Sequence, residues 1–241
     1  GNSGVGLSLS LSNSRIEKNV ISGNNFAGIY LEEPASDNVI VGNFIGTDST
    51  GTIAHGNGLV YEGSGIYFNA SNDLLIRRNR IGTDVNGTNP GDRNVISGNG
   101  AAGITVSDAM QTTIAGNLIG TDVTGTNPLG NGYQGIAFYG SQVVNSQNII
   151  GGNTQAAGNV IAFNGLEGIQ IYYDVKGNTI RFNSIYSNGR LGIDLYHWGE
   201  EPYGVTLNDA GDTDTGANDY QNFPVIGIAN SWSELNNCNA H

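Results

Sequence analysis

The chain is short of positive charge, with nine Lys and Arg against 21 Asp and Glu and a formal net charge of −12. Such a field repels phosphate backbones and anionic headgroups, so no nucleic-acid partner is expected. It has one cysteine, Cys238, which can form no internal disulfide and leaves the redox compartment open. No apolar run is long enough to span a bilayer, and no membrane insertion is expected. There is no initiator Met or signal peptide, and the opening GNSGVGLSLS already lies inside a repeating pattern, so the sequence reads as a fragment or processed product. Five prolines, one methionine and no long helical periodicity argue against a helical protein.

What abounds is glycine, 38 of 241 residues, together with Asn and Ser, the composition of a chain that turns often. The steadiest internal marker is Gly followed by an aliphatic residue and then alternation: GLSLS at 6, GIYLE at 28, GIYFN at 65, GITVS at 103, GIAFY at 135, GIQIY at 168 and GIDLY at 192. Successive glycines are 22, 37, 38, 32, 33 and 24 residues apart. The shortest steps set a basal unit of about 22 to 24 residues, and the longer ones read as that unit with a loop inserted. Two further short apolar strands per unit, as in NVISGN and TTIAGNLIG, give three strands per coil. Such a unit cannot bury a face alone, whereas stacked coils bury one continuous core.

The expectation is therefore an all-β solenoid, a right-handed parallel β-helix with hairpin-like insertions in some coils. The helix is expected over residues 1–198, with 199–241 as an acidic loop and a tail of the same domain that covers the C-terminal end. Period two places Ile29, Leu31, Ile66, Phe68, Ile104, Val106, Ile136, Phe138, Ile169, Ile171, Ile193 and Leu195 inward. Asn recurs nine residues before the glycine (Asn19, Asn94, Asn159, Asn183) and four before it (Asn24, Asn99, Asn131, Asn164, Asn188), which suits stacked corner residues. Leucine-rich and propeller arrays lack their spacings and blade motifs here.

On NVISGN…GI, GNLIGTD and LNDAGDTDTGANDYQNFPVI, the chain resembles the right-handed parallel β-helix repeats of large secreted or surface-displayed bacterial proteins, over roughly residues 1 to 228. The resemblance implies the pectate-lyase-like fold and an extracellular or cell-surface location. It leaves activity open, because lyases, polygalacturonases, uronan epimerases, tailspikes and adhesins share that fold.

The phrase Asn-x-Ile-Gly-Thr-Asp-x-x-Gly-Thr occurs three times, placing Asp48 with Gly51, Asp84 with Gly87 and Asp122 with Gly125. Asp and Gly three apart suit a type I turn at the tip of a small hairpin. If the copies stack in successive coils at ~4.8 Å, their carboxylates need turn amides or a cation to offset repulsion. Residues 208–219 form a sharper calcium candidate, with Asp209, Asp212, Asp214, Asn218 and Asp219 supplying oxygen ligands; the competing reading is a polar acidic turn.

The outward residues of the glycine-led strand fall into two columns. The nearer runs Ser8, Tyr30, Tyr67, Thr105, Ala137, Gln170, Asp194, and the farther runs Ser10, Glu32, Asn69, Ser107, Tyr139, Tyr172, Tyr196. Tyr139, Tyr172 and Tyr196, with Trp198 nearby, make a polysaccharide-binding candidate, since aromatic rings cover the apolar face of a sugar. Cross-strand stabilisation of the sheet is the structural alternative. Asp194 and His197 are the candidate catalytic pair, and Asp174 is expected beside the same tyrosine column.

Hydrolysis needs two carboxylates about 5 to 9.5 Å apart, and only Glu32 with Glu33 or Asp194 with Glu200 offer pairs. The motifs of polygalacturonases, serine nucleophile elbows, phosphate loops and zinc sites are missing. Arg77 and Arg80 are expected to face outward, aligned with Val41 and Phe44 above and Ala115 and Leu118 below, and solvated or paired with Asp73 or Glu62.

Three functions remain. The first is a stiff extracellular or surface module, structural or adhesive, binding polysaccharide or a cell-surface glycan and calcium. The second is a polysaccharide lyase, epimerase or hydrolase. The third is a fibre subunit self-associating through unpaired β-helix ends.

Overall fold

A computed structural model describes residues 1–58, 63–70, 76–140, 146–172, 175–196, 205, 208, 210–211 and 216–221, with backbone alone at Ile76 and Arg77. Its strands lie in three parallel sheets that the chain visits in turn. The fold is a right-handed parallel β-helix.

The glycine-led sheet stacks Leu7–Leu9, Ile29–Glu32, Ile66–Asn69, Ile104–Ser107, Ile136–Tyr139, Ile169–Tyr172 and Ile193–Tyr196. The second sheet runs from Arg15–Glu17 to Thr179–Arg181, and the third from Val20–Ile21 to Ser184–Tyr186, each in six strands. Ile76–Arg77 also pairs with Ala109–Met110.

Each inner strand contributes one or two apolar side chains to the core. Ile40, Ile81, Ile114 and Ile150 form one ladder, Ile45, Ile96, Ile119 and Ile161 another, and Leu31, Phe68, Val106, Phe138 and Ile171 a third, all fully buried. Burying one such side chain contributes about 1.5–3 kcal/mol, so stacking does what a single coil cannot. The leading glycine is set by the same stacking. A Cβ at Gly103 would lie 2.7 Å from the Gly135 carbonyl oxygen, and one at Gly135 2.6 Å from that of Gly168.

The corners are closed by asparagine. Between the second and third sheets, Asn19, Asn43, Asn94, Asn117, Asn159 and Asn183 form a ladder in which each side-chain amide donates to the next side-chain oxygen at 2.8–3.1 Å. Between the third and glycine-led sheets, Asn24, Asn57, Asn99, Asn131, Asn164 and Asn188 do the same at 2.8–3.0 Å. The rungs also satisfy main-chain groups: Asn131 Nδ2 donates to the Ile96 carbonyl, and Asn99 N donates to Asn131 Oδ1. A third ladder, not legible in the sequence, stands at the remaining corner. It includes Asn38, Asn79, Asn148, Asn178 and Asn218, with Thr112 occupying one rung.

Three expectations need correction. Asp48, Asp84 and Asp122 do not stack as one column. The Asp48 and Asp122 copies leave the third sheet, after Phe44–Ile45 and Leu118–Ile119, whereas Asp84 leaves the second, after Arg80–Gly82. The sequence motif encodes a strand and its exit, and the number of strands preceding it in the coil decides which sheet it joins. For the same reason Arg80 aligns with Val39 and Thr113, and Arg77 with Met110, not with the residues expected. Lastly, Ile193 keeps register with Ile169 but is 45% exposed, because no further strand among the described residues stacks on the last coil of that sheet.

At each of two corners the insertions alternate with tight turns. Loops 46–57 and 120–131 flank a coil that turns directly at 97–99, and loops 82–94 and 151–159 flank one that turns at 115–117. A loop thicker than one ~4.8 Å coil overhangs its neighbour, and the overhanging loops meet. Val123 N donates to Gly51 O at 2.9 Å, and Asn153 N to Val85 O at 2.6 Å.

Candidate functional site

The thrice-repeated turn is a local device. Gly51, Gly87 and Gly125 N donate to the carbonyls of Asp48, Asp84 and Asp122 at 3.0–3.1 Å, closing the expected β-turns. Two of them tip hairpins, bridged at Thr47 with Ala54 and Thr121 with Pro128. The carboxylates are engaged within their own turns. Thr50 Oγ1 donates to Asp48 at 2.7 Å, helped by Ile53 and Thr52 N, and these bonds hold its carboxyl at about 2. At Asp122 burial works against ionisation, yet bonds from Thr124 and Asn127 prevail and hold it at about 2. Asp84 is likewise depressed, chiefly by the backbone of Thr88.

The C-terminal outward face of the glycine-led sheet is different. Tyr139 and Tyr172 stack with centroids 4.3 Å apart and planes at 18°, and Tyr196 follows Tyr172 at 5.1 Å and 43°. Alongside them lies a chain of buried polar groups. Gln134 Nε2 donates to Gln170 Oε1 at 2.6 Å and to Glu167 Oε2 at 3.2 Å, and reaches the Tyr172 hydroxyl at 3.4 Å. Gln170 Nε2 donates to Asp194 Oδ2 at 2.6 Å, and Arg190 Nη1 pairs with Glu167 Oε1 at 3.3 Å. Glu167 is fully buried, and Gln170, Asp194 and Gln134 are 1%, 3% and 4% exposed. Burial pushes the Tyr172 phenol well above its ordinary pKa, reinforced by Tyr139 and by the charges of Glu167 and Asp194, so Tyr172 stays protonated.

The sequence thus placed Asp194, Tyr139, Tyr172 and Tyr196 on one face, and the structure brings them together. His197 and Trp198 lie outside the described residues, as do Asp174 and Glu200. Glu167, Gln134 and Arg190 were missed. Glu167 and Gln134 stand immediately before the marker glycine, where other coils carry Ala27, Ser64, Ala102 and Leu191. That departure from small or aliphatic residues was the available signal.

A second aromatic group occupies the nearer column at the other end, where Tyr30 and Tyr67 stack at 5.5 Å with Phe26 against both. Asn69 Nδ2 donates to the Tyr30 hydroxyl at 2.6 Å, and Ser8 Oγ to Glu32 at 3.0 Å. Burial raises both phenol pKa values.

Of the calcium candidates, Asp209, Asp212 and Asp214 lie outside the described residues. Asn218 and Asp219 sit on the turn Ala217–Tyr220, with left-handed backbone at both, which packs on the last coils through the buried Ala217 and through Tyr220 Oη on Tyr196 O at 3.4 Å. Asn218 Oδ1 accepts from Asn178 N at 2.9 Å as the last rung of the third ladder, and Asp219 pairs with Lys176 at 3.4 Å. Among the described residues no group of three or more His, Cys, Asp or Glu is placed to hold a metal ion.

The described arginines also have partners: Arg80 pairs with Asp92 at 3.0 Å, and Arg78 forks onto Asp37 at 2.6 and 2.7 Å. Asp73 and Glu62, expected as partners, lie outside the described residues. No helix among the described residues is long and apolar enough to cross a membrane.

No protein-family model and no curated protein sequence matches the chain. Among solved structures, it is similar to a T265N mutant of the periplasmic alginate epimerase AlgG, at 16% identity and a TM-score of 0.33. That similarity covers 78% of this chain and 35% of the other. The chain therefore spans about a third of that protein's length, and the likeness carries no argument about activity.

Proposed function

We propose that this chain is a stiff β-helix module of an extracellular or cell-surface protein, and that it binds polysaccharide along the Tyr139, Tyr172 and Tyr196 column. The observation that supports binding is the buried network beside that column. Glu167 and Asp194 are ionisable, lie outside the apolar core and recur in no other coil. Burying such groups costs several kcal/mol unless compensated, which makes them poor scaffolding and typical of functional sites. The stacked rings spend their faces on one another, so a sugar is held by ring edges and phenol hydroxyls, which the buried amides and carboxylates beside them position through Gln134 at the Tyr172 hydroxyl. Glu167 and Arg190 form an ion pair, and the net charge of −12 favours neutral or amine-bearing sugars over polyuronates.

A second reading is a polysaccharide-active enzyme. Its support is that two carboxylates and a guanidinium from two successive coils join one hydrogen-bonded network. The test is retention of the purified chain on immobilised neutral, amino and acidic polysaccharides, with and without calcium, with released oligosaccharides read by mass spectrometry. Retention on a neutral or amino glycan without product supports the binding module. Unsaturated products establish a lyase and hydrated ones a hydrolase. Neither retention nor product on any glycan overturns both readings.

A further inference from the structure

The sequence contains six Asn-Gly pairs, at 57, 86, 99, 131, 164 and 188. Asn-Gly is the dipeptide most open to self-modification, because glycine has no Cβ to hinder its own nitrogen. That nitrogen, losing its proton, attacks the Asn Cγ; a C–N bond forms, the Cγ–Nδ2 bond breaks and ammonia leaves. Water then opens the resulting succinimide to Asp or isoaspartate, with no change of oxidation state.

Five of the six pairs are rungs of the ladder between the third and glycine-led sheets, and the fold requires both members there. Asparagine supplies the side-chain ladder. Glycine is demanded by close approach: a Cβ at Gly132, Gly165 or Gly189 would lie 2.1–2.2 Å from a glycine carbonyl oxygen of the preceding coil. The stack that needs the labile pair also restrains both reacting groups. At Asn131 the leaving amide donates to Asn164 Oδ1 at 2.8 Å and to Ile96 O at 3.0 Å, while the attacking nitrogen of Gly132 donates to Asn99 O at 2.8 Å. Asn57, Asn99 and Asn164 repeat this arrangement, and all four are at most 2% exposed.

Asn86 is the exception. It is exposed, in the loop that follows Asp84, and the Gly87 nitrogen is held within the same turn, by the Asp84 carbonyl at 3.0 Å and by the Asp84 carboxylate. Its side-chain oxygen accepts from Asn153 at 3.3 Å, and that contact ties two surface loops rather than two coils. Opening one turn is a local event, whereas freeing an interior rung requires separating stacked coils.

We infer that Asn86 is the site of spontaneous deamidation in the folded protein, and that the ladder shields Asn57, Asn99, Asn131 and Asn164 from the same reaction. At Asn86 the product adds a carboxylate beside Asp84, where the loop meets residues 152–158. At an interior rung it would remove the two donor hydrogens that the ladder uses.

The test is incubation of the whole chain at mildly alkaline pH, with peptide mapping of amide-to-acid conversion over time. The expected result is conversion at Asn86 at least ~100-fold faster than at the four interior rungs, a ratio set by local against global opening. In concentrated denaturant the five rates converge, and the Asn86→Ser variant loses the fast event while keeping the slow ones. Interior rungs converting within tenfold of Asn86 in the folded chain, or rates that stay unequal in denaturant, would overturn the inference.

Discussion

The asparagine ladders and the network around Glu167 are both buried, polar and hydrogen-bonded, yet they differ in charge and in repetition. Each ladder places a neutral amide in nearly every coil, with donors and acceptors closed on main chain and neighbour. The network occurs once, on the outer face, and holds the fully buried Glu167 against an Arg190 side chain that is 31% exposed. A repeated neutral ladder is how stacked corners satisfy the backbone. A single charged cluster joins the last three coils at the cost of desolvation that a neutral ladder avoids, which is the ground for the proposed ligand site.

The comparison can be broken most severely in the core the ladders enclose. Phe138→Ala removes a fully buried ring from the middle of a stack and is expected to cost about 3–5 kcal/mol in denaturant unfolding. Asn131→Ala leaves Asn99 N without its acceptor and removes one bond each from Asn99 Nδ2, the Ile96 carbonyl and Asn164 Oδ1 in a fully packed coil, and a loss of roughly 2–4 kcal/mol is expected in the same assay. Asn188→Ala, on the last rung, breaks the equivalent bonds to Asn164 N, Asn164 Nδ2 and the Ile161 carbonyl, but in a half-buried coil where water can replace them, and should cost about 1 kcal/mol. Equal losses at Asn131 and Asn188 would mean that stacking is not what gives the ladder its value.

The smallest effect is on pH dependence. Asp48 and Asp122 have folded pKa values of about 2, below the ordinary ~3.9 of an unfolded Asp. A depressed pKa stabilises the fold above the unfolded value, and that contribution is lost as pH falls through the folded one. The melting temperature should therefore stay level down to about pH 5 and fall between about pH 4 and 2. The Asp48→Asn Asp122→Asn double variant should show a shallower fall over that window, read by thermal scans.

The coil was legible because its constraints repeat. The glycine marker reflects a carbonyl that leaves no room for a Cβ, and the alternation after it reflects the apolar interior. Asparagines at fixed distances from the glycine exposed two ladders, but Asn43, Asn57 and Asn117 dropped out because inserted loops break the count. The third ladder was hidden because its corner lies before the second sheet, where the distance to the marker varies most. The Asn79 copy of the repeated phrase was misplaced because a local motif cannot say how many strands its coil has already laid down.

The candidate site was half legible. Its tyrosines and Asp194 follow from period two, whereas Glu167, Gln134 and Arg190 are single departures that gain meaning only when three coils are brought side by side.

The most direct measurement is the Glu167→Gln variant, followed in parallel by denaturant unfolding and by retention on the polysaccharide that holds the parent chain. Because Arg190 is 31% exposed and can be solvated once the pair is broken, removing the Glu167 carboxylate while keeping its shape should change stability by less than about 1 kcal/mol, and retention should be lost. A loss of several kcal/mol with retention unchanged would make Glu167 part of the scaffold and contradict the account.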